Sequence, residues 1–221
     1  KPIAILVDFK SLFQYKNELY AKMWENFKVD SLHAYGDYDE ACAFAYGSAL
    51  VIESLVKFKK NDGKKIIAHF DEWTTGMGLL YVKAYLPQVA TVFTTHATSI
   101  GRSICGNGKP LYDYMSGYNG DQMAKELNME SKHSLEKAAA QNADAFTTVS
   151  DVTARECEQL LERKPIVTPN GFELNFVPKG AKYDEGRDAA RKKLLQVASA
   201  LTGEKYDSDT FLLATSGRCE F

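Results

Sequence analysis

The chain has 221 residues, enough for one large domain or one and a half and ample for a buried core. Its 27 Lys and Arg nearly balance 29 Asp and Glu, so composition forces no strongly basic face and gives a nucleic-acid partner little support. No apolar run approaches the ~20 residues needed to span a bilayer, since the longest candidate, 41–58, is broken by Tyr46, Gly47, Ser48, Glu53 and Lys57.

In chain order, residues 3–7 are a continuous apolar run of strand length, as for a strand covered on both faces. Over 12–27, Leu12, Leu19, Met23 and Phe27 recur at helical spacing. A polar connection follows over 30–39. Residues 39–60 form a long predicted helix, with Asp39 as N-cap and Lys57, Lys59 and Lys60 near its end. The alternation then becomes regular: a strand over 65–69, a helix over 72–86, a strand over 90–95 and a helix starting over 98–104. Residues 111–128 read as one or two short helices, and 131–142 as a helix with Leu135, Ala138 and Ala139 facing inward. A strand over 145–149, a helix over 151–161 capped by Ser150, and a short strand over 165–168 complete the series. Alternating β and α elements predict an α/β fold, a Rossmann-like doubly wound parallel sheet. Beyond Gly171 the pattern changes to an irregular stretch over 172–184, a basic amphipathic helix over 186–201 and a strand over 209–214. The expected domains are 1–178, lacking its first strands, and 179–221, a linker helix and the first strand of a second, truncated domain.

No G-x-G-x-x-G follows a strand, and no P-loop, G-x-S-x-G elbow or H-E-x-x-H is present. The histidines His33, His69, His96 and His133 are not grouped as metal ligands. The four cysteines have neither C-x-x-C nor zinc-finger spacing, and read as reduced thiols of a cytoplasmic protein. The chemistry gathers instead where predicted strands end: His69-Phe-Asp-Glu-Trp73, Phe93-Thr-Thr-His-Ala-Thr98 with Gly101-Arg102, and Thr168-Pro-Asn-Gly171. Ligands of open α/β sheets bind beyond the carboxyl ends of the strands. His96 is either a packed histidine bonded to backbone or a hydrogen-bonding partner for a sugar hydroxyl. Glu72 is either a helix cap or an acceptor for sugar hydroxyls. Asn170 is either part of a turn or an amide that contacts phosphate or sugar, and Arg218 either a surface charge or a diphosphate ligand. Gly76 and Gly78 are read as allowing close helix packing.

These stretches resemble the glycogen synthases of the eukaryote-type family, retaining glycosyltransferases of the two-Rossmann-domain GT-B architecture. The likeness is dense from His69 to Gly171 and includes Leu135-Glu-Lys-Ala-Ala-Ala140, Ala143-Asp-Ala-Phe-Thr-Thr-Val-Ser150 and Ile166-Val-Thr-Pro-Asn-Gly171. The resemblance implies transfer of glucose from UDP-glucose, with ADP-glucose as the alternative donor, to the non-reducing end of an α-1,4-glucan, with no cofactor or metal. It implies that His96 holds the donor glucose, Glu72 faces the acceptor, Asn170 contacts the sugar-phosphate region, Arg218 contacts the diphosphate, and Arg102 belongs to the substrate-binding set. The family's Lys-x-Gly-Gly donor loop is absent here, and Asp71 stands where many relatives carry a His. The expected partners are a nucleotide-sugar donor and a glucan, with no nucleic acid or membrane and with oligomerisation possible in the longer enzyme. The chain reads as a piece of such an enzyme, inactive alone. Two rivals are a non-catalytic carbohydrate-binding or scaffold module and another GT-B transferase, such as a sucrose or trehalose-phosphate synthase.

Overall fold

Four short parallel strands organise the larger part of the molecule. The computed structural model describes residues 2–59, 63–174 and 177–213, and the chain divides into two compact units, Lys1–Asn170 and Gly171–Phe221. In the first unit, α1 (Lys16–Phe27) and α2 (Tyr38–Phe58) precede β1 (Ile67–Asp71), α3 (Gly76–Tyr85), β2 (Ala90–Thr95) and α4 (Ser99–Gly106). They are followed by α5 (Gly120–Glu126), α6 (Glu130–Asn142), β3 (Ala145–Thr148), α7 (Asp151–Leu160) and β4 (Ile166–Val167). The strands lie in the order β1-β2-β3-β4, all parallel. Every strand therefore delivers its C-terminal end to the same edge.

The period-2 pattern of strands sets the core. Ala68, Phe70, Phe93 and Phe146 are buried on one face, and the register places Phe70 beside Phe93 and Phe93 beside Phe146. The last two rings stack with centroids 5.8 Å apart. Met77, Leu79 and Leu80 of α3 and Leu135 and Ala139 of α6 close over this face. The backbones of α2 and α3 approach so closely that a Cβ at Gly78 would lie 2.6 Å from the Ala45 carbonyl oxygen, which bears out the packing role expected of that glycine. A satellite core of Ile100, Ile104, Leu111, Met123 and Leu160 lies under α4, α5 and α7.

Several expectations are corrected. Residues 3–7 are not a strand; Ile3, Ile5 and Leu6 are exposed. The segment has no strand to pair with among the described residues, and Val7 and Leu12 instead lie across α2 at Gly47. The long helix starts at Tyr38 with Asp37 at its cap, and Asp39 binds Lys16 at 2.5 Å and Tyr20 at 2.7 Å. By length and composition α2 is apolar enough to cross a membrane, contrary to the reading of 41–58, yet Cys42, Ala45 and Ala49 along it are core residues.

In the second unit, α8 (Ala181–Thr202) starts five residues before the expected position. Gly186, read as a start, lies inside it, and the acidic residue Asp184 sits in its first turn. Leu195 is buried, while Leu194 and Val197 are about half exposed. The expected strand over 209–214 does not form over 209–213, where Phe211 and Leu213 are exposed. The Asp207 carboxylate instead accepts from the Asp209 amide at 3.0 Å and the Thr210 hydroxyl at 3.0 Å. Arg191 also donates to the carbonyls of Ser208 and Thr210. A side-chain-locked turn has taken these residues, and position 214 lies outside the described residues.

Candidate functional site

The turn after β2 collects most of the predicted chemistry. Thr95 ends the strand, Thr98 caps α4 by accepting from the Gly101 amide at 2.9 Å, and His96 lies between them. The His96 backbone N–H donates to Glu72 Oε1 at 3.0 Å, and its Nε2 lies 3.1 Å from Asp71 Oδ1. The imidazole is about one-third exposed. His96 is thus accessible and aimed by two acidic residues from the neighbouring strand tip.

Glu72 does not cap a helix. It sits at φ 63°, ψ 163° with no side-chain cap bond, ahead of a 3-10 turn over Trp73–Thr75. That backbone region is occupied almost solely by glycine and costs about 1–3 kcal/mol for other residues. A long-range and a local bond over-determine it: the Glu72 amide donates to Thr94 O at 2.8 Å, and its carbonyl accepts from the Thr75 amide at 3.1 Å. The helix expected over 72–86 begins only at Gly76 as an α-helix.

Two further carboxylates meet the same turn from below. Glu156 of α7 accepts from the Thr98 amide at 2.9 Å, the Thr98 hydroxyl at 2.6 Å and the Tyr112 hydroxyl at 3.0 Å. Glu136 of α6 accepts from the Ser99 amide at 2.7 Å, and its Oε1 lies 2.9 Å from the Thr95 hydroxyl oxygen. Both are almost wholly buried. Burial pushes the Glu136 carboxyl up to about 7. It also moves the Tyr112 hydroxyl up to about 12, with the Glu156 charge acting in the same direction. Gly101 is required here because a Cβ would strike the Glu156 carboxylate.

Beside the turn, His69 Nε2 lies 2.7 Å from Thr94 Oγ1, which is 2.6 Å from Thr147 Oγ1. A polar ladder therefore crosses β1, β2 and β3.

Asn170 follows β4 and is exposed. It belongs to the same C-terminal edge, two strands from β2, or about 10 Å at ordinary strand spacing. Arg102 is exposed on α4, and the structure gives it no contact with His96 or Glu72. Arg218 lies outside the described residues. The edge therefore brings His96 and Glu72 into contact and places Asn170 further along. Sequence reasoning singled out Asp71 beside Glu72 but missed Glu136, Glu156 and the His69 ladder. Glu136 had a signal, since it shares the inward side of its helix with Ala139 and Ala140, three and four residues on. Among the described residues no group of acidic, His or Cys side chains is arranged to hold a metal ion. Cys42 and Cys157 are buried and Cys105 exposed, all three unpaired. Clefts elsewhere include one of about 530 Å³ lined by Tyr20, Trp24, Asp30 and Asp39.

Parallel strands joined through helices, with polar side chains meeting at their carboxyl tips, define a Rossmann-like unit, and in such sheets that edge is the usual place for ligands. The glycogen synthase family model matches residues 1–221. A glycogen [starch] synthase of Neurospora crassa is 32% identical over all of this chain and 31% of its own length. One from Caenorhabditis elegans is 33% identical over all of the chain and 33% of its own length. The human liver glycogen [starch] synthase is 38% identical over 72% of the chain and 23% of its own length. The chain belongs to the glycogen synthase family, GT-B glycosyltransferases, and spans about a third of the length of relatives that match it throughout.

Proposed function

We propose that the protein to which this chain belongs transfers glucose from UDP-glucose to the non-reducing end of an α-1,4-glucan, with retention of configuration. The observation that carries this reading is the His96 turn, an accessible imidazole fixed at a strand tip by Asp71 and Glu72. In the proposed site His96 holds the donor glucose through a hydroxyl, Asn170 contacts the sugar-phosphate region, and Glu72 faces the acceptor. The difficult step is departure of a diphosphate from an oxocarbenium-like sugar, and preorganised positive charge at the leaving group lowers its barrier. The amides of Thr98 and Ser99 are already engaged by Glu156 and Glu136. The diphosphate charge therefore falls to Arg218 and Arg102. UDP-glucose is preferred to ADP-glucose on family membership alone. The unpaired thiols support a cytoplasmic setting.

The chain alone is expected to be inactive, because orienting donor and acceptor across a two-domain cleft supplies much of the rate. The test is incorporation of radiolabelled glucose into glycogen primer by the full-length protein, its His96→Ala variant and this chain. The full-length protein should incorporate glucose. His96→Ala should lose about a hundredfold in kcat/KM, the usual scale for one preorganised polar contact. Undiminished turnover by His96→Ala, or turnover by this chain matching the full-length protein, would refute the proposal.

A further inference from the structure

We propose that Glu136 is a positioning residue for the donor-site turn, acting on His96 through the Thr95 hydroxyl and the Ser99 amide. The proposal rests on the reading of His96 as a donor-site residue. Three amides of the turn, at His96, Thr98 and Ser99, are each captured by a carboxylate from a different element: Glu72 after β1, Glu156 on α7 and Glu136 on α6. Glu136 alone grips both sides of His96, at Thr95 before it and at Ser99 after it.

The hydrogen count at Thr95 gives the form in which it does so. Thr95 has one hydroxyl hydrogen and two acceptors, Glu136 Oε1 at 2.9 Å and the Ala97 carbonyl at 3.2 Å. A proton on Glu136 resolves the conflict. Its Oε1–H then donates to Thr95 Oγ1, the Thr95 hydroxyl donates to Ala97 O, and Oε2 still accepts from Ser99 N–H. The Thr95 hydroxyl, the Ser99 amide and the Glu136 carboxyl are then all paired, and Glu136 buries no charge. The surroundings favour the same form. Glu136 is fully buried, its surroundings include the Glu72 carboxylate from the β1 tip and Glu156 and Cys157 from α7, and its carboxyl is held at about 7. On its own helix, Lys137 is paired with Asp121 and Glu162, and His133 with Asp121. The neutral acid thus acts as a clip across the His96 turn.

Glu136→Gln reproduces the clip, its amide N–H donating to Thr95 and its carbonyl accepting from Ser99. Glu136→Leu keeps the bulk and removes the clip. Amide hydrogen exchange on this chain and glucose transfer by the full-length protein are measured for both variants across pH 5–9. In Glu136→Leu, exchange at His96 and Ser99 should rise about tenfold or more, the equivalent of one lost hydrogen bond, with Phe93 and Phe146 unchanged. Its transfer rate should fall by at least about tenfold. Glu136→Gln should keep wild-type exchange, keep transfer within about threefold, and lose any decline in rate that the wild type shows above pH 7. Unchanged exchange in a folded Glu136→Leu would overturn the proposal. So would a Glu136→Gln that fails to fold or is as impaired as Glu136→Leu. If the wild-type full-length protein transfers no sugar, the donor-site reading fails, and the exchange data still decide whether Glu136 holds the turn.

Discussion

Replacing Glu72 with alanine and with glycine separates what its side chain does from what its backbone costs. Both variants lose the bond from the His96 amide to the carboxylate, a charge-assisted contact whose loss costs about 1.5–3 kcal/mol. They differ in the backbone. At φ 63°, ψ 163° alanine keeps the strain and glycine removes it, a difference of about 1–3 kcal/mol in favour of glycine. The greater freedom of glycine in the unfolded chain returns about 0.5–1 kcal/mol of that. Glu72→Gly should therefore be more stable than Glu72→Ala by about 0.5–2 kcal/mol, although glycine is usually the worse residue. Urea unfolding followed by tryptophan fluorescence is suited to the test. The two tryptophans, Trp24 and Trp73, both lie in the first unit, so the signal reports that unit alone. A midpoint for Glu72→Ala equal to or above that of Glu72→Gly would show that the backbone at 72 is not strained. In the full-length protein, Glu72→Gly should not regain activity along with stability, because the carboxylate that fixes His96 is still missing.

Two further sets of outcomes follow, the first at glycines. Gly101→Ala should destabilise the first unit by about 2–4 kcal/mol, because its methyl group displaces the Glu156 carboxylate. Gly186→Ala, with open space around it inside α8, should stabilise its helix by about 0.5–1 kcal/mol; urea midpoints and helix-specific exchange check the two signs. The second set concerns pH. The Glu136 carboxyl is raised from 4.5 to about 7 by burial, so its contribution is fully present below about pH 4.5 and lost as pH rises through about 7. Linkage makes the loss about 3 kcal/mol. Glu136→Gln should gain that much stability relative to wild type between pH 4.5 and 8, and a difference independent of pH would refute this.

Local chemistry made much of the fold legible. The strand over 90–95 and the cap at Ser150 follow from β-branched composition and a hydroxyl that accepts from the amide three residues on. What failed depends on partners distant in sequence. Residues 3–7 have a strand's composition, but a strand needs a neighbour; here Ile3, Ile5 and Leu6 stay exposed while Val7 packs on α2 at Gly47. Asp71-Glu-Trp73 reads as a helix start because acidic residues suit one. The bond from the Glu72 amide to Thr94 O, 22 residues away, pulls the backbone into a glycine-like conformation instead. The site was legible as motifs at strand ends, but its supports were not. Glu136 and Glu156 lie 37 to 58 residues from the amides they hold, and no local pattern pairs them.

The charges around the turn bear on how a nucleotide sugar is divided between the parts of such an enzyme. Asp71, Glu72 and Glu156 surround the His96 turn alongside the proton-bearing Glu136, and Glu156 and Glu136 take up the amides at the start of α4. A helix N-terminus after a parallel strand is the fold's usual place for phosphate, so here that capacity is spent internally. Charges a few ångströms apart interact by several kcal/mol at partial burial, and a diphosphate placed against this turn would face carboxylates. A neutral sugar would not, and its hydroxyls can donate to acidic groups as readily as accept from an imidazole. Under the proposed function, the edge of the first unit suits the hexose end of the donor and disfavours its anionic end, in keeping with a diphosphate held by arginines, with Arg218 the first to test.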